Sequence, residues 1–205
     1  MIILFVGPQA SGKGTQAKII SKKLGFCHIS TGDLLRDAKG ELKQKVDSYI
    51  NKGKLFPDEL IAKLLKQKIK ETKRKKDIIL DGFPRNLNQS EELDKIMKIN
   101  KIFEISISDQ EALKRLNGRW SCRKCRLIYN IFTAPKPKHD KICDKCGQAL
   151  VQREDDADKD AIKKRLEIYH SQTEPMLEKY KGSVIKINGE QSIEDVTKDI
   201  LEKLN

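Results

Sequence analysis

Residues 2–6, Ile-Ile-Leu-Phe-Val, are apolar without alternation, and the stretch that follows, Gly7-Pro8-Gln9-Ala10-Ser11-Gly12-Lys13-Gly14-Thr15, is short, polar and bounded by glycines. An unalternated apolar run reads as a strand buried on both faces, the habit of parallel sheets covered by helices. Gly7 and Gly12-Lys13 fit the spacing G-x-x-x-x-G-K, and the fit lies between an expected strand and an expected helix near 14–24, the setting that gives it force. Successive backbone N–H groups in such a loop wrap an anionic phosphate at the positive end of a helix, and Lys13 adds a full charge. The strict pattern has Ser or Thr directly after Lys; here Gly14 intervenes before Thr15.

The rest of the chain keeps this rhythm. Further strands are expected near 27–30, 77–81, 102–107 and 184–188, and helices near 58–73, 88–99, 109–118, 158–180 and 192–204. Apolar runs alternating with helical periods make β-α units around a parallel sheet. In the last helix Ile193, Val196, Ile200 and Leu204 share one face, which should pack on that sheet. Two regions break the pattern. One, 31–57, is polar and ends in a turn marked by Gly53 and Pro57; the other, 120–157, has no helical period. Both read as inserts emerging from a single core, which 205 residues suffice to build.

That second insert holds four of the five cysteines, Cys122, Cys125, Cys143 and Cys146: two C-x₂-C pairs separated by 17 residues, the spacing of a zinc ribbon. Four thiolates close a tetrahedral site and leave no open position, so the metal would be structural, folding a segment with too few apolar residues for its own core. Zinc is favoured, iron suits the same sulfurs, and disulfides or unused thiols are the other readings. His139 lies between the pairs but four sulfurs make it unnecessary. Cys27 stands alone in an expected strand, as a small buried residue, and His28 and His170 have no visible catalytic partner.

The net charge of +12, from 42 Lys and Arg against 30 Asp and Glu, leaves nucleotides, nucleic acid and acidic surfaces open as partners. Much of the excess is lysine on helical segments such as 66–76, which read as solvated faces. No run approaches the roughly 20 apolar residues of a membrane-spanning helix, and the start of the chain reads as a strand, not a signal peptide. A cytoplasmic monomer with no membrane partner is expected.

"GKGTQ" at 12–16, "ISTGDLLR" at 29–36 and "LDGFPRNLNQ" at 80–89 closely resemble the nucleoside monophosphate kinases, and among them adenylate kinases with a long, zinc-bearing lid. "GRW" at 118–120, "REDD" at 153–156, "RLEIY" at 165–169 and "INGEQSIEDV" at 187–196 fall in family order, so the resemblance covers nearly the whole chain. It implies an α/β P-loop kinase: a five-stranded parallel sheet flanked by helices, a helical acceptor-binding insert and a zinc-ribbon lid. Residues 1–30, 58–119 and 158–205 would form the core, 31–57 the AMP-binding insert and 120–157 the lid. The reaction implied is reversible transfer, ATP + AMP giving two ADP with Mg²⁺ on the donor, which balances the adenine nucleotides.

Phosphoryl transfer needs two polyanions held in line with their charge neutralised, so arginines are the expected equipment. By resemblance Arg36 and Arg85 hold the acceptor monophosphate and Arg119 the donor triphosphate, while Arg153 and Arg165 reach the transferring group when the lid closes. Ala10, Ser11, Gly12, Lys13, Gly14 and Thr15 would cradle the ATP phosphates. Donor adenine would meet the main chain at Ile128 and Tyr129, Arg115 or Arg119, and the Gln191 carbonyl. AMP would lie against Thr31, the main chain of Lys54, Leu55 and Phe56, the Gly82-Phe83-Pro84-Arg85 turn and Gln89, whose amide can donate to and accept from an adenine edge. Asp81 ends an apolar run, so its carboxylate should emerge at the carboxyl edge of the sheet, where open α/β sheets bind ligands; there it would orient water on Mg²⁺. Asp155 and Asp156 match the lid-hinge carboxylates, which hold Mg²⁺ waters or steady the arginines, with an ordinary acidic hinge as the rival reading. Two departures stand out: alanine in place of the usual glycine at Ala10, and one residue more than usual between Arg153 and Arg165.

Other readings belong beside this one. A kinase of another monophosphate, or one using GTP, would keep the same machinery. A nucleic-acid module built on the ribbon and the positive charge is the different-class alternative. It is disfavoured because the ribbon has no obvious row of exposed aromatics and the phosphate loop would go unused.

Overall fold

The computed structural model describes residues 1–72 and 77–204. Five parallel strands make the central sheet: β1 (Ile2–Val6), β2 (Cys27–Ser30), β3 (Ile78–Asp81), β4 (Lys101–Ser106) and a last strand, Val184–Asn188, which is β7 in chain order. Their order is β2-β3-β1-β4-β7. The unalternated apolar runs are explained by burial on both faces. Leu4, Val6, Ile29, Leu80 and Ile102 point into one core with helices α4 (Asp58–Glu71) and α5 (Leu87–Asp94). Ile3, Phe5, Ile79, Phe103, Ile105 and Ile187 point into the other, with α1 (Lys13–Leu24) and α10 (Ile193–Leu204). Val196 and Ile200 bury the expected face of α10. Gln16, itself buried, ties α1 to that helix: its Nε2 donates to the Ile193 carbonyl at 2.9 Å and its Oε1 accepts from Thr197 at 2.7 Å.

Register decides where the site lies. Phe5 and Ser30 both pair with Asp81, so β1, β2 and β3 end together and deliver Gly7, Thr31 and Gly82 to one carboxyl edge. The 31–57 region is helical, with α2 (Thr31–Arg36) capped by the Ser30 hydroxyl and α3 (Gly40–Ile50) leading to the turn at Gly53. Helix α6 (Asp109–Asn117) leads to the second insert. That insert opens with an antiparallel pair, β5 (Arg119–Ser121) and β6 (Ile128–Asn130), and ends in the short α7 (Glu154–Ala157).

Four expectations need correction. The helix expected over 88–99 stops at Asp94, because the chain must turn at Lys95–Met97 to enter β4, and Asn100 becomes part of the sheet edge, accepting from the Ile2 N–H at 2.7 Å. The single helix expected over 158–180 is α8 (Lys159–Ile168), a π-helical turn at Tyr169–Thr173, and α9 (Glu174–Glu178). Pro175 lacks the N–H that a regular helix would use there, and the wider turn absorbs the missing bond. Cys27 is half-buried instead of buried, since β2 is an edge strand. The helix expected over 58–73 ends at Glu71; its final position, 73, and the end of the lysine run at 73–76 lie outside the described residues.

Candidate active site

The loop after β1 is shaped for an anion. Gly7 has φ of 150° and a Cβ there would stand 2.3 Å from the Ile105 carbonyl oxygen, so the loop approaches the neighbouring strand as only glycine allows. Gly12, with φ of 97°, caps α1 without any side-chain hydrogen bond, leaving the first N–H groups of the helix for a ligand. Ala10 holds φ of 60°, a conformation that costs a Cβ-bearing residue free energy. The Ala10 carbonyl accepts from Arg115 at 3.4 Å, and the same guanidinium donates to the Gly189 carbonyl at 2.9 Å.

Of the residues assigned to nucleotide from the sequence, all but Asp156 line one cleft of about 530 Å³ between the sheet edge and the two inserts. Lys13 donates from Nζ to the Pro8 carbonyl at 2.9 Å. Burial, reinforced by Arg85, Arg119 and Arg165 and only partly opposed by Asp81, pushes its pKa down to about 7. Arg85 anchors Nε on the Gly82 carbonyl at 2.8 Å, and Arg36 is held by Asp33 at 2.9 Å. Thr31 donates to the Gly82 carbonyl at 2.8 Å. Arg153 stands close enough to Arg119 and Arg36 that burial and their charges lower its pKa. So many cations facing one another are unfavourable without a polyanion between them.

Both hinge carboxylates pair with arginines. Arg119 forks onto Asp156 at 2.6 and 2.5 Å, and Arg165 donates to Asp155 and Asp156, each at 3.0 Å. Burial works to raise the Asp156 pKa, but Arg119 and Arg165 outweigh it and hold the group below the usual carboxylate range. Asp156 therefore stays charged and keeps both guanidiniums aimed. Gln191 spends its side-chain NH₂ on the Asn188 carbonyl and Asp199. Ile128 and Tyr129 reach the cleft from β6, while the Tyr129 hydroxyl points the other way, toward Cys143. Phe56 packs edge-on against Tyr49, fixing the Lys54-Leu55-Phe56 segment.

An unanticipated neighbour of Asp81 is His28, whose Nε2 lies 3.8 Å from Asp81 Oδ2 and is otherwise unpartnered and buried. Burial raises the Asp81 pKa, yet His28 and Lys13 bring it below the ordinary value, so the carboxylate is ionised beside the phosphate loop. A charged oxygen donor set at that edge fits a hydrated Mg²⁺. Only the parallel register brings residue 28 to residue 81, and no local signal in the sequence carries that. Asp58 is the other residue missed; it accepts from Gln89 at 2.6 Å. His170 pairs with Glu174 and Asp109 on the surface, outside the cleft.

In the second insert the four cysteine sulfurs lie within 4.8 Å of one another. The Cys125 N–H donates to Cys122 Sγ at 3.3 Å, and the backbone turns at Arg126 and Gly147 wrap each pair as a knuckle. Four converging sulfurs with N–H support are a donor set for tetrahedral zinc. Contacts tie this insert to the rest of the cleft: Arg126 pairs with Asp37, Lys18 donates to the Arg126 carbonyl at 3.0 Å, and Asn51 donates to Glu154 at 2.7 Å.

The family model described as "Adenylate kinase" matches residues 5–185. The chain belongs to the adenylate kinase family. Among curated adenylate kinases, that of Caldicellulosiruptor saccharolyticus is 40% identical across 100% of this chain and 99% of its own. That of Archaeoglobus fulgidus is 42% identical over the same shares, and that of Borreliella burgdorferi is 41% identical across 98% of this chain and 97% of its own. As an adenylate kinase the chain is a phosphotransferase acting between nucleotides, and the cleft is the place its geometry offers for that chemistry. None of the described helices of this adenylate kinase is long and apolar enough to cross a membrane.

Proposed function

We propose that the cleft catalyses ATP + AMP ⇌ 2 ADP with ATP phosphates on the loop at Ala10–Thr15 and AMP against Thr31, Leu55, the Gly82–Arg85 turn and Gln89. The reaction is that of the family. An oxygen of the AMP phosphate attacks the γ-phosphorus of ATP, and the bond from that phosphorus to the β–γ bridging oxygen breaks. The protein's task is to align the partners and neutralise charge on the transferring group. Lys13 serves the β- and γ-phosphates, Arg36 and Arg85 fix the acceptor, and Arg119, Arg153 and Arg165 surround the group in transit. What supports the reading is that these six cations, from six separate stretches of sequence, face one cavity.

Mg²⁺, bound to the donor phosphates and steered through water by Asp81, would supply charge neutralisation. Zinc on Cys122, Cys125, Cys143 and Cys146 would hold the lid's form without touching substrate. Residues 1–30, 58–119 and 158–205 then act as the core, 31–57 as the AMP-binding insert and 120–157 as the lid, which excludes water so that ATP is not hydrolysed. The enzyme is read as a cytoplasmic monomer. The basic surface does not favour nucleic acid: Phe132 is the one large aromatic exposed on the lid among the described residues.

Two outcomes follow. Gln89→Ala raises the KM for AMP by at least ~10-fold and leaves that for ATP within ~2-fold, measured by ADP formation; equal losses on both sides contradict the assignment of the acceptor base. Nucleotide binding at pH 8.5 also takes up protons. Free Lys13, with its pKa near 7, is mostly neutral there, and phosphate oxygens favour its charged form. Calorimetry in buffers of different ionisation enthalpy reads this uptake, which shrinks below about pH 6 where Lys13 is already protonated. Binding without uptake at pH 8.5 contradicts the contact.

A further inference from the structure

Gln89 is 3% exposed and its amide is held at both ends. Its Nε2 donates to Asp58 Oδ1 at 2.6 Å, and its Oε1 accepts from the Arg85 backbone N–H at 2.8 Å. A carboxylate only accepts and a backbone N–H only donates, so these partners fix which end of the amide is which. Turned by 180°, the amide would set oxygen against carboxylate and NH₂ against N–H. Asp58 is in turn immobilised: Asn88 donates to its Oδ2 at 2.8 Å, and Asn86 donates to both oxygens at 3.2 Å. Asn86 cannot turn either, because its Oδ1 accepts from the Gln89 N–H at 2.8 Å. The carboxylate also sits in the first turn of α4, where the helix N-terminus favours negative charge.

Each end of the Gln89 amide keeps one free position, the second Nε2 proton and the second Oε1 lone pair. That edge presents a donor and an acceptor in one fixed order. Adenine offers the complement, an acceptor at N1 and a donor at the 6-amino group. A 6-oxopurine offers the reverse, N–H at position 1 and oxygen at position 6, which an unrestrained glutamine could meet by turning over.

We infer that Asp58 is a specificity-positioning residue, locking the Gln89 amide in the orientation that accepts a 6-aminopurine monophosphate and rejects a 6-oxopurine one. The inference rests on Gln89 facing the acceptor base, as proposed above. Sites that spend a fixed polar group on one hydrogen-bonding pattern discriminate strongly, because the wrong base leaves buried groups unpaired.

The test uses the full-length enzyme with Mg-ATP and two acceptors, AMP and inosine monophosphate, which exchange the edge pattern without adding the 2-amino group of guanine. Asp58→Asn keeps the shape but presents either polarity. It should raise the kcat/KM ratio of inosine monophosphate to AMP by ~10-fold or more with the KM for ATP unchanged, while Asp58→Glu retains the wild-type ratio. If Asp58→Asn does not fold, Asp58→Ser, a residue tolerated at helix starts, carries the same expectation. An unchanged ratio in the Asp58 variants, with Gln89→Ala shifting it, overturns the locking role and leaves Gln89 as the reader. A ratio moved by neither residue overturns both this inference and the placement of the base at Gln89. Parallel losses with AMP, inosine monophosphate and ATP overturn it in favour of a purely architectural Asp58.

Discussion

Replacing Lys13 with alanine lowers kcat by about 10³-fold and leaves the protein folded, because the side chain serves the transferring phosphates and little else. Its single hydrogen bond in the structure is to the Pro8 carbonyl, within its own loop. The charge is otherwise surrounded by burial and by Arg85, Arg119 and Arg165, which together bring its pKa from 10.5 to about 7. A lysine whose folded pKa is below its unfolded one costs stability while it must remain charged. Proton linkage makes that cost complete below about pH 7, diminishing through the window from about 7 to 10.5, and absent above it. The thermal midpoint of Lys13→Ala therefore does not fall relative to the parent at pH 6, and any advantage fades as pH rises. ADP formation and a thermal melt on the same sample check both halves. A folded variant that retains kcat within about threefold removes Lys13 from the reaction.

Stripping metal from the four cysteines unfolds the lid before the core. Cys122, Tyr129, Cys143 and Leu150 are the lid's buried set, flanked by Trp120, and two of those four are proposed ligands. So small a cluster does not order a segment in water, whereas structural zinc contributes on the order of 10 kcal/mol to small domains that need it. Trp120 is the only tryptophan in the chain, so its fluorescence reads this cluster alone. Chelation, or Cys143→Ser, should give a fluorescence transition at least ~10 °C below the far-ultraviolet transition of the core. Activity should fall ~100-fold, because Arg119 and Arg153 stand at the two ends of the affected segment. Coincident, unshifted transitions contradict a structural metal.

The sequence carried the core well because its signals are local. Apolar runs such as 2–6 and 78–80 read as doubly buried strands once helical segments separate them. The phosphate loop and the cysteine pairs are likewise written in contiguous residues. What escaped is set by packing between distant segments. The early end of α5 follows from where β4 must start, and the π-helical turn from a proline whose cost is absorbed by neighbours; neither leaves a periodic trace. His28 beside Asp81 and Asp58 beneath Gln89 are contacts across 53 and 31 positions, products of register and of the angle between α4 and α5. The hinge pair shows the same limit: steadying the arginines was one of the roles open to Asp155 and Asp156, but which arginine each one meets was not legible.

The most direct measurement is ADP formation from Mg-ATP offered AMP, CMP, UMP and GMP in parallel, with a control lacking any acceptor. Rapid turnover is expected with AMP, rates with the other three lower by orders of magnitude, and almost no hydrolysis without acceptor. Equal rates across the four acceptors, or turnover that proceeds without one, would contradict an acceptor site that reads adenine and a lid that excludes water.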